Sequence, residues 1–271
     1  MKIKKIAVML MVTSFCYNLQ AQKLPGLQQA GMRAPANIII DGKAIEWGGF
    51  KALNTATDTY YTIANDDKKL YLVIHADQST VANRAVIGGI RLLVQPNGSK
   101  SMQGAKGIKF PYFEKGSRVV FPVKKIGEVN TPAEGDSIMK VYNQRIASSV
   151  KWIYTKDIVG VDSVIAVYND KGIQAAGAFD QTRGYTCEIA IDLDLLGISL
   201  ADSKKFAYNI TINPAGPNKF SMPPGISFRG MNSDGSIMSE AQSAPFISTM
   251  EKQNNVTYAT TDFWGEYTLA K

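Results

Sequence analysis

Residues 59–75, which read TYYTIANDDKKLYLVIH, decide the fold of this protein. The stretch opens with tyrosines, threonine and isoleucine, which favour β-strands. Asn65, Asp66 and Asp67 favour a turn, because short polar side chains bond to nearby backbone groups and tolerate left-handed dihedral angles. Strand-forming residues resume at Leu70, so the stretch is predicted to be a β-hairpin.

The second strand of this hairpin has two chemically different faces. Because side chains alternate along a strand, one face carries Leu70, Leu72 and Ile74, and the other carries Tyr71, Val73 and His75. We expect the three aliphatic side chains to face a hydrophobic core. The opposite face, which holds the only histidine of the sequence, is expected to be half-covered or solvated.

Short strand-like segments recur along the rest of the sequence. They are residues 37–40, 86–95, 150–154, 161–167, 173–179, 185–193, 206–212 and 263–269. No convincing long amphipathic helix is evident. The pattern predicts an all-β fold, an antiparallel β-sandwich of the jelly-roll or immunoglobulin-like kind. Residues 99–149 are less regular and are expected to form an insertion of loops, hairpins or short strands that decorates the sandwich.

The N-terminal residues have the features of a secretion signal. Lysines within the first five residues precede an apolar run at 6–15 that is too short to span a membrane, and Ala21 suits cleavage. We therefore predict a signal peptide at 1–21 and export across the inner membrane to the periplasm, the outer membrane surface or the exterior. A lipoprotein signal at Cys16 is disfavoured, because Phe15 stands where a small residue is expected.

The remaining chain suits one large β domain. About 250 residues follow the signal, enough to bury a sizeable core without disulfides. Residues 22–35 contain Gly, Gln and Pro and are predicted to be a flexible leader, and 36–271 to be a single domain. Cys187 is the only cysteine outside the signal, so it is expected to be a small buried hydrophobic residue.

Charge does not indicate a nucleic-acid partner. The formal net charge of +7 falls to about +4 without the three lysines of the signal, and the sequence has no long block of like charges. The basic residues within 99–149 include Lys100, Lys106, Lys109, Lys115, Arg118, Lys124 and Lys125. We expect them to be solvated residues that protect edge strands, and attraction to an acidic polysaccharide or to an anionic outer surface is the alternative.

Four segments together carry a family resemblance. They are IIIDGKAIEW at 38–47, IANDDKKLYLVI at 63–74, GYTCEIAIDLDLLGI at 184–198 and WGEYTL at 264–269. In content and order they resemble the family 9 carbohydrate-binding modules and related domains of secreted bacterial proteins. The resemblance implies a β-sandwich and, less specifically, a module that binds a glycan.

The sugar-binding members of that family clamp a sugar ring between paired aromatic side chains, typically tryptophans, and hold calcium as a structural ion. This sequence departs from the family in the insertion at 99–149 and in having no tryptophan pair that matches the clamp. The resemblance therefore implies the β-sandwich fold more directly than it implies sugar binding.

Exposed aromatic side chains are the candidate ligand contacts, because the C–H face of a sugar ring stacks on an aromatic ring. Trp152 is the first candidate, and Tyr154 shares its strand face two residues later. Tyr112, from the irregular segment, is the third. Trp47 and Trp264 belong to the family segments and are expected to pack in the core or at its seam.

Candidate metal and cofactor ligands are few. Asp66 and Asp67 offer carboxylate oxygens that suit calcium, although turn chemistry explains them without a metal. A related sandwich, the DOMON domain, can hold haem or a sugar between its sheets, and His75 would be the candidate axial ligand of a haem. Its place opposite the aliphatic face favours a solvated or cross-strand histidine instead.

The sequence lacks the common catalytic motifs. It has no nucleophile elbow, zinc-binding HExxH helix or phosphate-binding loop. A glycoside hydrolase needs only two carboxylates, and Asp157, Asp162, Asp180 and Glu188 are available, but most such residues are solvated. We predict a secreted, non-catalytic module that binds a polysaccharide or oligosaccharide through exposed aromatics. The alternatives are a structural or assembly module without a sugar site, and a carrier of haem or a small ligand of the DOMON type.

Overall fold

The computed structural model describes residues 23–114, 131–202, 204–216, 230–245, 247–249 and 259–271, and the predicted signal peptide lies outside them. Its strands are β1 (Ala52–Asn54), β2 (Thr59–Asn65), β3 (Lys69–Ala76), β4 (Ile90–Gln95), β5 (Lys106–Tyr112), β6 (Trp152–Lys156), β7 (Val164–Ala166), β8 (Ile173–Phe179), β9 (Tyr185–Asp192), β10 (Phe206–Ile212) and β11 (Thr261–Tyr267). Its helices include α1 (Ser79–Gly88), α2 (Pro132–Ser149), α3 (Leu193–Leu196) and a short 3-10 helix at Ile45–Trp47, and residues 240–245 and 247–249 are also helical.

The strands form two antiparallel sheets that pack face to face. The first sheet has the order β1-β2-β3-β9-β8, and the second has the order β11-β10-β4-β5-β6-β7. Alternate side chains of both sheets fill one shared core, which includes the buried thiol of Cys187. The hydroxyls of Tyr61 and Tyr208, one from each sheet, lie 2.9 Å apart within it. The predicted antiparallel β-sandwich is therefore confirmed.

The predicted hairpin is formed by β2 and β3. Ile63 lies opposite Leu72 in the register, and the backbone N–H of Asp66 donates to the carbonyl of Lys69 to close the turn. Leu70, Leu72 and Ile74 are at most 1% exposed, as their alternation predicts. The apolar face of β3 therefore lies at the centre of the core surface that the first sheet provides.

The opposite face of the hairpin is more deeply covered than its composition suggests. Residues 32–50 cross it, and Tyr71 and Val73 are buried against Trp47 in a second, smaller hydrophobic cluster. On this face of β3, only His75, near the end of the strand, is half-exposed. The prediction of a half-covered or solvated face is thus wrong for most of the strand. Residues 37–40, predicted as a strand, belong to this irregular covering segment.

The segment before the sandwich is docked, which corrects the prediction of a flexible leader at 22–35. The side chain of Gln28 accepts a hydrogen bond from the backbone N–H of Ile63 and donates one to its carbonyl. Arg33 forms a parallel bridge with Asn65. Because β1 ends its pairing at Tyr61, the edge of β2 beyond that residue is open, and the leader completes it.

Two helices replace segments that were predicted to be extended or irregular. Helix α1 includes residues 86–88, which the sequence assigned to a strand, and β4 begins only after Gly89, whose φ is +81°. Helix α2 occupies the second half of the predicted insertion at 99–149, whereas β5 is an integral strand between β4 and β6. Of the helices within the described residues, none has the length and apolar character needed to cross a membrane.

Helix α2 closes the β8 edge of the first sheet. Its N-cap Thr131 accepts a hydrogen bond from the N–H of Glu134, and Pro132 occupies the first turn, where a missing N–H is harmless. Met139 and Ile146 are buried in the main core. The amide of Asn143 bonds both backbone groups of Phe179 on β8, so one side chain completes an otherwise open strand edge.

Candidate functional site: an aromatic cluster on the second sheet

The three predicted contact residues lie together on the outer face of the second sheet. Trp152 and Tyr154 point outward from β6, whereas Ile153 between them is fully buried. Tyr112 is the register partner of Trp152 on the neighbouring strand, and its ring centroid lies 5.6 Å from that of Tyr154. Trp152 is 37% exposed and the two tyrosines are half-exposed. We call these three residues the aromatic cluster.

A β-bulge brings Tyr112 into the cluster. In regular alternation Tyr112 would face the core, because it lies two residues after the buried Phe110. The register shifts between Lys109 and Tyr112, with three residues of β5 spanning the same length as two of β6. The extra residue turns the Tyr112 side chain outward. Pro111, which has no N–H to pair, lies within this bulge.

The cluster occupies the β5–β7 end of the sheet. Lys109 lies beside it, with its Nζ 5.0 Å from the ring centroid of Tyr112. Toward β4, the loop between β4 and β5 folds back over the sheet, because the Gln95 amide donates to the carbonyls of Ser101 and Gln103. Trp264, on β11 at the far end of the sheet, is half-buried. It does not belong to the cluster.

Trp47 has the packing role that was predicted. It is 2% exposed, and its indole meets Tyr71 edge-on, with ring centroids 6.1 Å apart. Its Nε1 donates to the buried carboxylate of Glu188. The tryptophan of the first family segment is therefore part of the framework.

The two candidate calcium ligands have different surroundings. The carboxylate of Asp66 accepts hydrogen bonds from the N–H groups of Lys68 and Lys69 and from the hydroxyl of Tyr71, each at 2.7 Å. Burial alone would raise the pKa of Asp66, but these bonds hold it below its ordinary value. Asp67 is exposed and pairs with Arg33. Turn chemistry accounts for both carboxylates, and within the described residues no group of three or more His, Cys, Asp and Glu side chains could hold a metal ion.

A cavity of about 790 Å³ opens on the outer side of the first sheet. Its walls are residues 42–45, the first half of α2 and the turn 178–182. Its base includes Phe50 and His75, whose rings stack with centroids 5.6 Å apart and an interplanar angle of 21°. The lining is mainly apolar with charged residues at the rim, which suits a small amphipathic ligand.

The surroundings of His75 at the base of this cavity disfavour its charged form. Burial lowers the pKa of His75, and the nearby carboxylates of Asp180 and Asp77 oppose that shift. Its Nδ1 lies 3.0 Å from the hydroxyl of Thr186, and its Nε2 lies 3.9 Å from Oδ2 of Asp180. The ring faces away from the space between the sheets, as a cross-strand histidine would.

The carboxylates considered for hydrolysis do not form an open pair in the described structure. Glu188 is buried and bonded, and Asp157 pairs with Lys156 at the end of β6. The other oxygen of Asp180 holds its own turn by accepting from the N–H groups of Thr182 and Gly184. The contacts of Glu188, Asp157 and Asp180 are those of structural carboxylates.

The candidate contact residues named from the sequence lie together in the aromatic cluster, whereas the cavity was not predicted. The cavity depends on α2, which was not predicted, and on the covering segment, which was assigned as leader and strand. A helical signal was nevertheless present, because Ile138, Tyr142 and Ile146 recur at four-residue intervals after a Thr-Pro start. Phe50 had no distinguishing pattern around it.

Comparisons with known proteins give likeness to solved structures but no match of sequence. A scan of the sequence against models of protein families finds no match, and a search of curated proteins finds none either. Among solved structures, a family 9 carbohydrate-binding module from Caldicellulosiruptor kristjanssonii in complex with glucose is similar in fold. It is 10% identical, with 89% of this chain and 94% of that chain covered and a TM-score of 0.35. At this TM-score, the likeness assigns neither ligand nor residue role to this chain.

Proposed function

We propose that this protein is an exported, non-catalytic module that binds a glycan on the outer face of its second sheet. The observation that carries the proposal is the aromatic cluster, in which Trp152, Tyr154 and Tyr112 form a partly exposed, contiguous set of rings. Sugar rings present apolar C–H faces that pack against such rings, and polar groups around them satisfy the hydroxyls. Lys109 and Lys156 supply polar groups at the cluster's edge.

The position of the cluster supports binding more than framework packing. Aromatic side chains that stabilise a sandwich point inward, as Tyr61, Tyr185 and Tyr208 do at 0% exposure. The cluster points the other way, and it is built with a bulge that reverses the orientation of one member. Bulges commonly re-aim a side chain next to a functional site.

The cavity beside α2 supports a second candidate function, the binding of a small amphipathic ligand. Its volume of about 790 Å³ is within the range of small-molecule sites. It lies on the outer side of the first sheet. A ligand there would contact Phe50 and His75 without entering the packed interior, unlike the haem carrier of the DOMON type considered above.

Isothermal titration calorimetry and intrinsic tryptophan fluorescence, with a panel of soluble oligosaccharides, test the proposal. We expect saturable binding of one sugar class, weakened about tenfold or more by Trp152→Ala. Trp152→Phe keeps an aromatic ring and removes the local fluorophore, so it should retain heat of binding while losing the fluorescence change. Because Trp152 is partly exposed, Trp152→Ala should change the free energy of unfolding by less than about 1 kcal/mol.

Phe50→Ala is the matched variant for the cavity. If Phe50→Ala abolishes binding and Trp152→Ala does not, the ligand occupies the cavity and the second candidate function is correct. If no sugar of the panel binds, the structural or assembly module is the better assignment. Export is tested separately by N-terminal sequencing of the mature protein, with Gln22 expected as the first residue.

A further inference from the structure

Arg91 is a half-buried cation without an ion-pair partner among the described residues. It lies on the outer face of β4, where its Nη2 donates to the hydroxyl of Thr211 at 3.0 Å and contacts the sulfur of Met102 at 3.8 Å. Its Nε is buried and has no hydrogen-bond partner in the described part of the chain. The nearby carboxylate of Asp262 forms no ion pair with it and instead accepts a hydrogen bond from Asn209.

The charge of this guanidinium is only partly compensated by its neighbours. Burial of a charge is costly unless a counter-ion and hydrogen bonds compensate for the lost water. Thr211 and Met102 supply one neutral acceptor and one weak acceptor. A bound anion would provide the compensation that these neighbours do not.

The register places Arg91 close to the aromatic cluster. Arg91, Lys109 and Tyr154 are successive partners across β4, β5 and β6. Neighbouring strands lie about 4.8 Å apart. The strand position of Lys109 is therefore one spacing from that of Tyr154, and the strand position of Arg91 is two spacings from it. The Lys109 ammonium also lies over the ring of Tyr112. A sugar ring that stacks on the aromatic cluster would thus direct its substituents toward the positive charges of Lys109 and Arg91.

We propose, on the basis of the function proposed above, that the glycan is anionic and that Arg91 and Lys109 recognise the carboxylate of a uronic acid residue. The ring of that residue stacks on the aromatic cluster, and its carboxylate points across β5 toward β4. Guanidinium groups are weakly hydrated and match carboxylate geometry well, so Arg91 is suited to this contact. The ammonium of Lys109 adds attraction that salt weakens.

Calorimetry with matched oligosaccharides tests this inference. The ligands are oligogalacturonides, neutral oligosaccharides of the same length and a sulfated oligosaccharide, each titrated at about 0.05 M and 0.5 M salt, which changes the screening length severalfold. We expect the uronic acid ligand to bind most tightly and to lose affinity at high salt. Arg91→Gln should weaken its binding about tenfold while leaving neutral ligands unaffected, and Lys109→Gln should weaken binding of the uronic acid ligand more than that of a neutral ligand of the same length.

Two further variants control for folding and for general charge. Arg91→Lys keeps the charge and should retain part of the affinity, which separates loss of recognition from loss of structure. Lys68→Gln removes an exposed lysine from the hairpin turn of the other sheet and should change nothing. Thermal melting of each variant verifies that it is folded.

The outcomes separate this inference from the proposed function. If neutral ligands bind as tightly as uronic acid ligands through Trp152, the inference is wrong and the glycan-binding function stands. A preference for the sulfated ligand would overturn the assignment of a carboxylate. If no ligand binds in a manner that depends on Trp152, the proposed function itself fails, and the inference fails with it.

Discussion

The indole Nε1 of Trp47 donates a hydrogen bond of 2.7 Å to Oε1 of Glu188, and both side chains are almost completely buried. The other oxygen of Glu188 accepts from the backbone N–H groups of Gly42 and Asp41, at 2.8 and 3.0 Å. Two of the segments that carried the family resemblance therefore meet at one carboxylate. Burial raises the pKa of Glu188, and the three hydrogen bonds oppose that shift.

Removing this carboxylate should strongly destabilise the protein. Glu188→Ala leaves two buried donors and one partly buried donor without an acceptor, so we expect the free energy of unfolding to fall by about 3 kcal/mol or more, measured by urea denaturation. Trp47→Phe keeps an aromatic ring but removes one donor, and should cost about 1.5–3 kcal/mol. Asp194→Ala, on the exposed side of α3, is the control and should stay within about 0.5 kcal/mol. An unchanged Trp47→Phe variant would falsify this account.

The leader should contribute to stability through Gln28. Gln28→Ala removes the partners of both backbone groups of Ile63, and we expect a loss of about 2 kcal/mol. The neighbouring Gln29 is exposed and bonds only to the carbonyl of Leu27, so Gln29→Ala is a matched control with little expected effect. Chemical denaturation of both variants gives the comparison. Equal stability would mean that the leader is not docked in solution.

Asn143 should anchor α2 to the edge of β8. Asn143→Ala removes two hydrogen bonds to the partly buried backbone of Phe179, and a loss of about 1–2 kcal/mol is expected. Hydrogen exchange of the Phe179 amide should accelerate in this variant, which a general loss of helix propensity would not cause specifically. Gln144→Ala, one residue along on an exposed position, is the control. Slow exchange at Phe179 in Asn143→Ala would contradict the anchor.

His75 should titrate at a lower pH than a free histidine. It is the only histidine, so its imidazole resonances in a proton NMR titration are unambiguous. Burial lowers its pKa below the usual value of about 6.5, and Asp180→Asn, which removes an opposing charge, should lower it further. Because the folded-state pKa is depressed, the neutral form favours folding. The corresponding stability is present above pH about 6.5 and is lost as the pH falls through the folded-state value. A pKa above 6.5 would contradict the burial.

Calcium should have no large effect on stability through Asp66 and Asp67. Both oxygens of Asp66 already accept protein hydrogen bonds, and Asp67 pairs with Arg33. We expect the melting temperature to be the same, within error, in EDTA and in millimolar calcium. If calcium raises it and Asp67→Asn removes that rise, the turn binds calcium and the hydrogen bonds of Asp66 must rearrange.

Local sequence was sufficient to place several strands, although not to tell how deeply each face is covered. The hairpin and β8 follow from alternation and turn residues, because these signals act over a few neighbouring residues. The single turn of helix in α3 ends at Gly197, with φ of +70°. The side chain of its N-cap residue, Asp192, makes no capping hydrogen bond and pairs with Lys69 of β3. This contact joins two strands distant in sequence, so no local pattern reports it.

The aromatic cluster follows only from local strand alternation and tertiary strand pairing taken together. Alternation placed Trp152 and Tyr154 on one face, but it would have sent Tyr112 into the core. The bulge in β5, together with the pairing of β5 and β6, reverses Tyr112 and sets it beside the other two. Strand pairing joins residues 40 positions apart, and no local pattern reports it.

The sequence by itself determined the sandwich, its central hairpin and two members of the exposed aromatic face, because strand periodicity and turn preferences are local properties. Only the tertiary structure decided the burial of Glu188, the docking of the leader and the cavity beside α2. Each of these depends on which distant backbone groups and side chains come into contact when the sheets assemble. The hydrogen-bond partners of a buried carboxylate or an open strand edge come from the segment that the topology places beside it.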